Sequence, residues 1–415
     1  MRRFRFQKKV GKSKKERGVA LLITLFAVMI MTFLALEIAY NSHVELAVGA
    51  SQVDRLKAYY LAKSGVQFSL LRIKVYQTAL QKFGGQLGAQ KSMLDMIWQL
   101  PFSWPPLLPP ELSSFDKDNI NKAVKKSFID GVFQTQIESE GSKIDVNDLA
   151  SPSEALKKTV NAQLVQLLQN RIALDDQWAR DHRNLRPQEL VNNIADWVSA
   201  DPNSLNGGSK ASQYGGTEPP IVPASRPMKT IEELHMVKGI TDDIYKLLVP
   251  KLTVYGTKGI NVNAASADIL QSIDKLITKD LSDQIIARRN DSTKGPFSDL
   301  NDFTTFLKST GMNIENFNKN PVMPLLFDSE FNFRIKSTGI WKHAQREIIA
   351  IVYDFDKVKG QLASQLTTPT PPPGGAVTTT TLPNNKGAPT PTPAATPPPG
   401  GPNKGPPAIV FWQEF

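Results

Sequence analysis

The first eighty residues of the chain carry a continuous apolar run that thins into an apolar stripe. Residues 19–36 contain no charged side chain, and Glu37 ends the run. Eighteen helical residues span about 27 Å, which is just enough to cross the hydrocarbon core of a bilayer. From Ile38 to Val75, apolar residues recur roughly every three to four positions with charges between them. The pattern predicts one helix over about 19–82, membrane-spanning in its first third and amphipathic afterwards.

Alternation of apolar and polar residues predicts strands in two places. Residues 128–146 fit a β-hairpin that turns at residues 140–142, and residues 331–354 fit two strands around residues 337–339. We expect the two strand pairs to join in one sheet that packs on the anchor helix.

Proline content divides the rest of the chain. Residues 100–112 form a proline-rich connector that cannot be helical, whereas residues 153–197 have helical periodicity. Of the 30 prolines, 14 lie in residues 361–415, which predicts a disordered or polyproline-like tail. The tail ends in the apolar segment 408–415. Two interpretations of this segment are open, a sticky disordered end and a docking peptide for an outer partner.

Composition excludes several classes of chemistry. The chain has no cysteine, which excludes disulfides, thiolate zinc sites, iron–sulfur clusters and cysteine nucleophiles. Its four histidines are isolated and lack an HExxH spacing. Glu138 and Glu140 would share one face of a strand, where we expect both to contact water rather than to catalyse. Because no phosphate-binding loop and no convincing triad is present, we expect that the protein is not an enzyme.

The positive charge of the chain is concentrated at its N-terminus. The whole chain has 49 Lys and Arg against 39 Asp and Glu, a formal net charge of +10. Residues 1–18 hold nine of these basic residues and one glutamate, which leaves 40 basic against 38 acidic residues in the remainder. Under the positive-inside rule, the basic segment stays in the cytoplasm and the rest of the chain crosses the membrane. The nearly neutral remainder makes no electrostatic case for nucleic acid.

The junction between the basic segment and the apolar run is specific. Residues 14–18 read Lys-Lys-Glu-Arg-Gly, and the apolar run follows without a gap. This resembles the type IV prepilin class, in which a dedicated peptidase cuts after the glycine on the cytoplasmic side. The resemblance implies a cut between Gly18 and an N-methylated Val19, with the apolar helix retained. A plain signal anchor and a cleaved secretory signal are the alternatives, although the residues after Leu36 suit signal peptidase poorly.

Further residues narrow the resemblance to one family. Prepilins that pack along a filament carry Glu at the fifth mature position, whereas this chain has Ile23. Three further features accompany the missing Glu: residues 58–65, the Asp-Trp motif in residues 194–201 and the Glu-Leu-x-x-Val-x-Gly pattern at residues 233–239. Together, the four features resemble the minor pseudopilin K family of the type II secretion system. In that family, the subunit without the Glu is thought to sit at the filament tip.

The resemblance implies an α+β fold. Its parts are a long N-terminal membrane-anchor helix packed on a small antiparallel, pilin-like sheet, an inserted all-α region of two SAM-like or helix-hairpin-helix-like units, and a disordered C-terminal tail. The predicted segments are a cleaved basic leader at 1–18, the long helix at 19–83 with its transmembrane part at 19–40, a connector and β-hairpin at 84–150, the inserted helical domain at 151–325, the C-terminal strands at 326–356 and the Pro/Thr/Gly-rich tail at 357–415.

One loop carries a candidate metal site. In the resembled family, the loop after the Asp-Trp motif can bind calcium through clustered acids, which suit a hard cation. Asp196 and Asp201 stand at two such positions. Ser199, Lys210 and Ala211, however, stand where acids are usual. Because a lysine opposes a cation directly, a solvated loop without calcium is the alternative.

The main rival function is a membrane-anchored DNA receptor for uptake. Residues 260–303 resemble a competence-type helix-hairpin-helix, which grips a phosphate with the backbone N–H groups of a Gly-x-Gly turn. The turn should lie at residues 274–280, which contain no glycine and carry two aspartates. We therefore expect a packing scaffold without an anion site.

The resemblance implies a non-enzymatic minor pseudopilin at the tip of the type II secretion pseudopilus, which initiates the filament and helps to export folded proteins. Its implied partners are the I-, J- and H-type minor pseudopilins, the major pseudopilin, the prepilin peptidase, the inner-membrane assembly platform and membrane lipid, with no nucleic acid. The implied location is the inner membrane of a Gram-negative bacterium, with a single span, a cytoplasmic leader and the bulk of the chain in the periplasm. A minor pilin of a type IV pilus is a further alternative.

Overall fold

The computed structural model of the chain describes seven stretches of its sequence. They are residues 16–87, 93–214, 222–291, 293–314, 324–327, 330–354 and 407–415. Nearly all of the predicted leader, and residues 355–406 of the predicted tail, lie outside the described residues.

The described residues contain helices from Glu16 to Ser309 and strands from Phe102 to Glu414. The helices are α1 (Glu16–Leu87), α2 (Met96–Gln99), α3 (Ser114–Lys126), α4 (Glu154–Leu174), α5 (Asp176–Asp181), α6 (Pro187–Val198), α7 (Lys210–Tyr214), α8 (Asp242–Leu248), α9 (Ala267–Ile273), α10 (Lys279–Arg289) and α11 (Leu300–Ser309). The strands are β1 (Phe102–Trp104), β2 (Val132–Ser139), β3 (Ile144–Asp145), β4 (Leu252–Thr253), β5 (Ile260–Asn261), β6 (Leu325–Leu326), β7 (Asn332–Trp341), β8 (Ala344–Tyr353) and β9 (Ala408–Glu414).

Helix α1 confirms the predicted long N-terminal apolar helix. Its 72 residues extend for about 108 Å at 1.5 Å per residue. The stretch that is long and apolar enough to cross a membrane has none of its residues buried inside the protein. Burial begins at Ala58 and recurs at Ala62, Val66, Ile73 and Tyr76. The helix is therefore uncovered in its first half and packed in its second.

The packed half of α1 lies on a five-stranded antiparallel sheet of order β1-β2-β7-β8-β9. Helix α1 contacts β7, β8 and β2, and α2 closes one side of the same core. The rings of Tyr76, Trp98 and Phe333 meet there with centroids 5.3 to 6.3 Å apart. This arrangement confirms the antiparallel sheet on the anchor helix.

The turns of the sheet differ from the predicted ones. Residues 337–339 lie inside β7, and β7 turns into β8 at Lys342 and His343, where Lys342 adopts a positive φ of 50°. A turn built on a lysine has no glycine to mark it in the sequence. The predicted hairpin at 128–146 is wrong, because β2 pairs with β1 and β7 while β3 forms a separate parallel pair with β4. The alternation in residues 128–146 and in residues 331–354 predicts strands, but it does not show which strands pair with each other.

Glycine allows α1 to touch β7 without side chains between them. A Cβ on Gly339 would collide with the backbone O of Ala58 and the backbone N of Ala62, and a Cβ on Gly65 would collide with the side chain of Ser337. The Ser337 hydroxyl donates to the carbonyl of Ala62 at 2.7 Å. Close approach therefore depends on two glycines, one on each element.

A second hydrophobic core lies in residues 144–314, around α4, α6, α9, α10 and α11. The prediction that this region is all-α is wrong in one respect, because parallel pairs β3–β4 and β5–β6 lie in or beside it. Ile144, Leu252 and Ile260 are at most 1% exposed, so their buried backbone groups need hydrogen-bond partners, which the short strands supply. The SAM-like character of this region and the division of the chain into domains stay predictions.

Strand β9 corrects the prediction that the tail is disordered to its end. Residues Ala408–Glu414 pair antiparallel with β8. The apolar end of the chain docks on the chain's own sheet, because β8 would otherwise leave a row of unpaired backbone groups along an apolar edge.

We predict that Gly339→Ala lowers the free energy of unfolding by about 3 kcal/mol, because the new methyl group meets helix backbone that cannot move aside. The control is Gly49→Ala in the uncovered half of α1, where a Cβ meets nothing within 4 Å and where helix propensity favours alanine by roughly 1 kcal/mol. Urea unfolding of both variants in detergent, followed by tryptophan fluorescence, checks this. Equal stability of the two variants would contradict the proposed backbone contact.

Candidate functional site

The first half of α1 is the candidate membrane and assembly surface. Val19 is 57% exposed and Ile23 is 63% exposed, and a Cβ on Gly18 would meet no atom within 4 Å. The processing role of Gly18 and Val19 and the interface role of Ile23 stay predictions. All three residues lie on an uncovered part of the helix, where a peptidase or a neighbouring helix can reach them.

An apolar stripe continues on α1 beyond the predicted span. It consists of Leu46, Val53, Leu56 and Tyr60, which are 52 to 71% exposed. Their spacing of seven, three and four residues puts them on one face of the helix. Four uncovered apolar side chains in a row are the kind of surface that packs against another helix.

Asp196, the first predicted calcium ligand, is buried at the end of α6. Its carboxylate accepts hydrogen bonds from the Ser204 hydroxyl at 2.6 Å and from the backbone N–H of Leu205 at 3.0 Å. Asp201, the second predicted ligand, is exposed and accepts from the backbone N–H of Asn203 at 2.9 Å. Both carboxylates therefore hold the loop that follows α6.

Lys210 lies in the same loop and is only 4% exposed. Its ammonium donates to the carbonyl of Ser199 at 2.6 Å, and its backbone N–H donates to the carbonyl of Pro202 at 3.0 Å. Burial lowers the pKa of Lys210, against the attraction of Asp196 and Asp201, which raises it. A buried cation already stands within electrostatic reach of both acids.

These residues do not fit a calcium ion well. Calcium takes six to eight oxygen ligands and tolerates no nearby cation without cost. Asp196 has its oxygens engaged by the protein, and Lys210 occupies the neighbourhood with its own positive charge. Across the part of the chain that the structure describes, no group of three or more His, Asp or Glu is positioned to hold a metal ion. We therefore derive no role for calcium here.

The helix pair α9–α10 uses its DNA-binding-like residues for internal contacts. The Arg289 guanidinium donates to the carbonyls of Val262 at 2.7 Å and Ala265 at 2.8 Å, and burial lowers its pKa to about 10. Asn263 bonds the backbone of Phe297 in both directions at 2.9 Å. The motif residues that attracted a nucleic-acid interpretation thus support the fold.

The turn between α9 and α10 offers little to a phosphate. The Asp274 carboxylate accepts the backbone N–H of Leu276 at 2.8 Å, and the Thr278 hydroxyl accepts that of Leu281 at 3.3 Å. Two backbone N–H groups of this turn are therefore already bonded to side chains, one of them a carboxylate. This geometry agrees with the expectation of a scaffold without an anion site.

A buried ionic joint connects the sheet to the helical region, and the sequence analysis missed it. Glu140, predicted to contact water, is fully buried. Arg334 donates to both of its carboxylate oxygens at 2.7 and 2.9 Å, and Thr253 donates to it at 2.6 Å. Lys143 adds a salt bridge at 3.1 Å. Glu140 was misassigned because β2 ends at Ser139, so the alternation of the strand no longer applies to it.

The positive charges of Arg334 and Lys143 offset the cost of burying the Glu140 carboxylate. Burial alone would raise the pKa of Glu140, but the hydrogen bond from Arg334 and the charge of Lys143 lower it below its usual value. The carboxylate therefore contributes stability that is present above the pKa of an unfolded glutamate and is lost as the pH falls through the lower folded pKa. No signal in the local sequence pairs residues that are 194 positions apart.

Three further buried acids, Glu330, Asp145 and Asp148, lie near the joint. Glu330 accepts from the backbone N–H groups of Phe331 and Asn332 at 3.0 Å, and burial raises its pKa. Burial and the charge of Asp148 raise the pKa of Asp145 to about 6, while Lys258 bonds both aspartates. The concentration of polar groups makes this joint specific in geometry, since each buried group must find its partner.

The joint lies at the end of the sheet that is remote from the anchor. At the near end, Trp341 donates to the Asp54 carboxylate at 3.0 Å, about 27 Å along the helix from Leu36. At the far end, Gln77 donates to Asp354 at 3.1 Å, about 62 Å from Leu36. Glu140 and Asn332 are joined by a backbone hydrogen bond at this far end, so the chain crosses between sheet and helical region there.

Comparisons with known proteins relate this chain to one secretion component. A family model described as "Type II secretion system (T2SS), protein K" matches residues 142–257. A protein of Escherichia coli strain K12 named "Putative type II secretion system protein K" is 24% identical over 261 residues. The match spans 60% of this chain and 66% of that relative, slightly less than two thirds of its length.

A solved structure has a similar fold. In the crystal structure of the GspK-GspI-GspJ complex from the type 2 secretion system of enterotoxigenic Escherichia coli, one chain matches with a TM-score of 0.51 and 17% identity. The match covers 74% of this chain and 93% of that chain. The shared fold is a mixed one, with a long N-terminal helix and an antiparallel sheet.

We predict that Arg334→Met lowers the free energy of unfolding by about 3 to 5 kcal/mol, because it leaves the buried Glu140 carboxylate without its main partner. The control is Lys336→Met on the same strand, whose half-exposed ammonium pairs with Glu347 and contributes less than about 1 kcal/mol. Denaturant unfolding in detergent measures both. Equal losses would mean that Glu140 is solvated rather than buried.

We predict that neither calcium nor a chelator changes the melting temperature of the unmodified protein, because Lys210 already supplies a positive charge to the loop. Lys210→Met should lower the free energy of unfolding by about 1 to 3 kcal/mol, since it leaves the Ser199 carbonyl without its hydrogen-bond donor. Lys238→Met, whose exposed ammonium bonds Gln213, should cost less than about 0.5 kcal/mol. A rise of several degrees on adding calcium to the unmodified protein would contradict this interpretation.

Proposed function

We propose that the chain is a minor pseudopilin of the type II secretion protein K family, and that it forms the tip of a short periplasmic filament that helps to export folded proteins. The family is a structural component of the secretion system. In this proposal the protein acts by assembly rather than by catalysis.

The position of the helical region is the observation that best supports the tip role. This region is attached through the Glu140–Arg334 joint at the end of the sheet about 62 Å from the anchor. A filament grows when a new subunit is added below and the earlier ones move outward. Bulk on the outer end of one subunit prevents another from stacking above it, whereas its sides stay available to neighbours.

The uncovered half of α1 supports side-by-side assembly. The span of α1 and the apolar stripe form one continuous apolar surface that the chain's own sheet leaves uncovered. Burying such a surface against partner helices gains about 25 cal/mol per Å². We propose that the I- and J-type minor pseudopilins provide these helices, because the structural neighbour was solved in a complex with GspI and GspJ, and that the H-type and major pseudopilins follow below.

Ile23 fits a subunit with no neighbour above it. In filament-packing prepilins, the Glu at this position meets the N-terminal ammonium of a neighbouring subunit. A carboxylate in an apolar surrounding is costly when no such ammonium is present. An isoleucine avoids that cost, so the substitution is consistent with the first subunit of a filament.

Maturation follows from the same proposal. The prepilin peptidase would cut between Gly18 and Val19, and the +8 leader would stay in the cytoplasm. The mature chain would cross the inner membrane once and be drawn outward by the assembly platform, with its bulk in the periplasm.

The internal contacts of Arg289 and Asn263 weigh against the rival DNA receptor, because they commit the motif residues to the fold. A minor pilin of a type IV pilus differs from the proposal in its gene neighbourhood rather than in any residue named above.

We predict that Gly18→Leu blocks maturation, because a bulky side chain at the cut cannot extend into the peptidase cleft as glycine does. N-terminal sequencing of the chain from host membranes should give N-methylated Val19 for the unmodified protein and Met1 for the variant. Gly11→Ala in the same leader is the control and should mature normally.

Secretion is the functional readout of this experiment. Gly18→Leu should abolish export of the host's secreted proteins, and the unmodified chain should copurify with the I- and J-type subunits. A mature start beyond Leu36 would refute the prepilin assignment. Normal maturation with tight, salt-sensitive duplex DNA binding and no change in secretion would favour the DNA receptor.

A further inference from the structure

We propose that the edge of β8 is a binding site for one extended apolar strand, and that residues 408–414 fill it as a separable ligand carried by the same chain. The proposal is independent of the tip role, because it rests on the contacts of residues 408–414 with their own chain. It assigns the C-terminal segment a defined binding site on its own chain, whereas the sequence left a disordered end and a docking peptide for an outer partner open.

The backbone of the C-terminal segment completes the sheet. Strand β9 runs antiparallel to β8 from Ala408, opposite Tyr353, to Glu414, opposite Ile348. Beyond it, Glu347 and Phe415 exchange backbone hydrogen bonds of 2.9 and 3.2 Å. Without β9, these N–H and C=O groups of β8 would line an open edge beside buried apolar residues.

Two neighbouring side chains of β9 make apolar contacts on opposite faces of the sheet. Trp412, opposite Ala350, packs against the core beneath α1. Phe411, opposite Ile351, lies against the ring of Tyr255 from the helical region, with centroids 5.2 Å apart. Strand-addition sites bind peptides in the same way: the main chains pair, and alternate side chains of the peptide fill separate pockets.

The connection between the two strands exceeds what their geometry requires. Because Ala408 is opposite Tyr353, a loop of two residues could join strands at this position. Residues 354–407, 54 in number, stand between them instead. A short turn therefore does not force β9 against β8, and the contacts of the segment itself must hold it on the strand.

The outer part of β9 is held loosely enough for release. Ile409 and Val410 are each 39% exposed, and the register shift between Ile351 and Val352 leaves Val410 without a partner. Ala350 and Val352 of β8 belong to a core whose fully buried members come from α1, α2, β2, β7 and β8, and Trp412 of β9 only packs against its side. The segment therefore resembles a bound peptide more than a core strand.

The test uses the full chain in detergent, with a protease recognition sequence replacing part of residues 380–400. Folding precedes cutting, so the site is formed with its own ligand in place. After cutting, the C-terminal fragment should stay bound at tens of micromolar protein and leave on dilution below about 100 nM, as read by gel filtration. A tenfold excess of synthetic peptide 406–415 should speed its replacement.

Variants of the peptide test these apolar contacts. Labelled peptide 406–415 should bind the cut and washed protein in the micromolar range by fluorescence anisotropy, and Trp412→Ala should weaken binding at least tenfold. Val410→Ala, at the unpaired position, is the control and should weaken it less than threefold. The uncut chain should bind the same peptide at least tenfold more weakly, because its own segment occupies the site.

Each outcome of these experiments either supports the proposal or overturns it. A fragment that survives dilution and competition, or a cut protein that unfolds as the fragment leaves, would show β9 to be a fixed part of the fold and overturn the proposal. Equal peptide binding by cut and uncut protein, or by the Trp412→Ala peptide, would place binding elsewhere and overturn it as well. Dimers that form only after the fragment is washed away would support an open β8 edge.

Discussion

The backbone contact between α1 and β7 is the constraint on which the rest of the structure depends. Gly339 brings the strand against Ala58 and Ala62, and Gly65 leaves room for Ser337. One helix can therefore be a membrane-spanning rod at its start and the wall of a core at its end. Because the contact fixes the sheet along α1, it also fixes which end of the sheet faces the membrane.

The ionic joint holds the helical region at the end of the sheet that is remote from the start of α1. Glu140 is bonded by groups from β7 and β4 as well as from its own turn, so the two cores meet through directional bonds rather than through a free linker. Such a joint contributes little net stability relative to an apolar contact, but it selects one arrangement because every buried charge must keep its partner.

Elements with local periodicity were predictable, and their partners were not. The apolar run and stripe indicated α1 to within a few residues, and alternation indicated β2, β7 and β8. The hairpin at 128–146 failed because alternation does not say which strand pairs with which. In the candidate loop, the sequence identified Asp196 and Lys210 as conflicting signals, and the structure shows that both hold the loop.

The sequence by itself determined the apolar start of α1 and its amphipathic continuation, because hydropathy acts residue by residue along one helix. Only the tertiary structure decided that Glu140 is buried against Arg334 and that residues 408–414 close the sheet. Both contacts join residues far apart in the chain, one across 194 positions and the other across a 54-residue connection. Their free energy depends on shared burial, which no local pattern records.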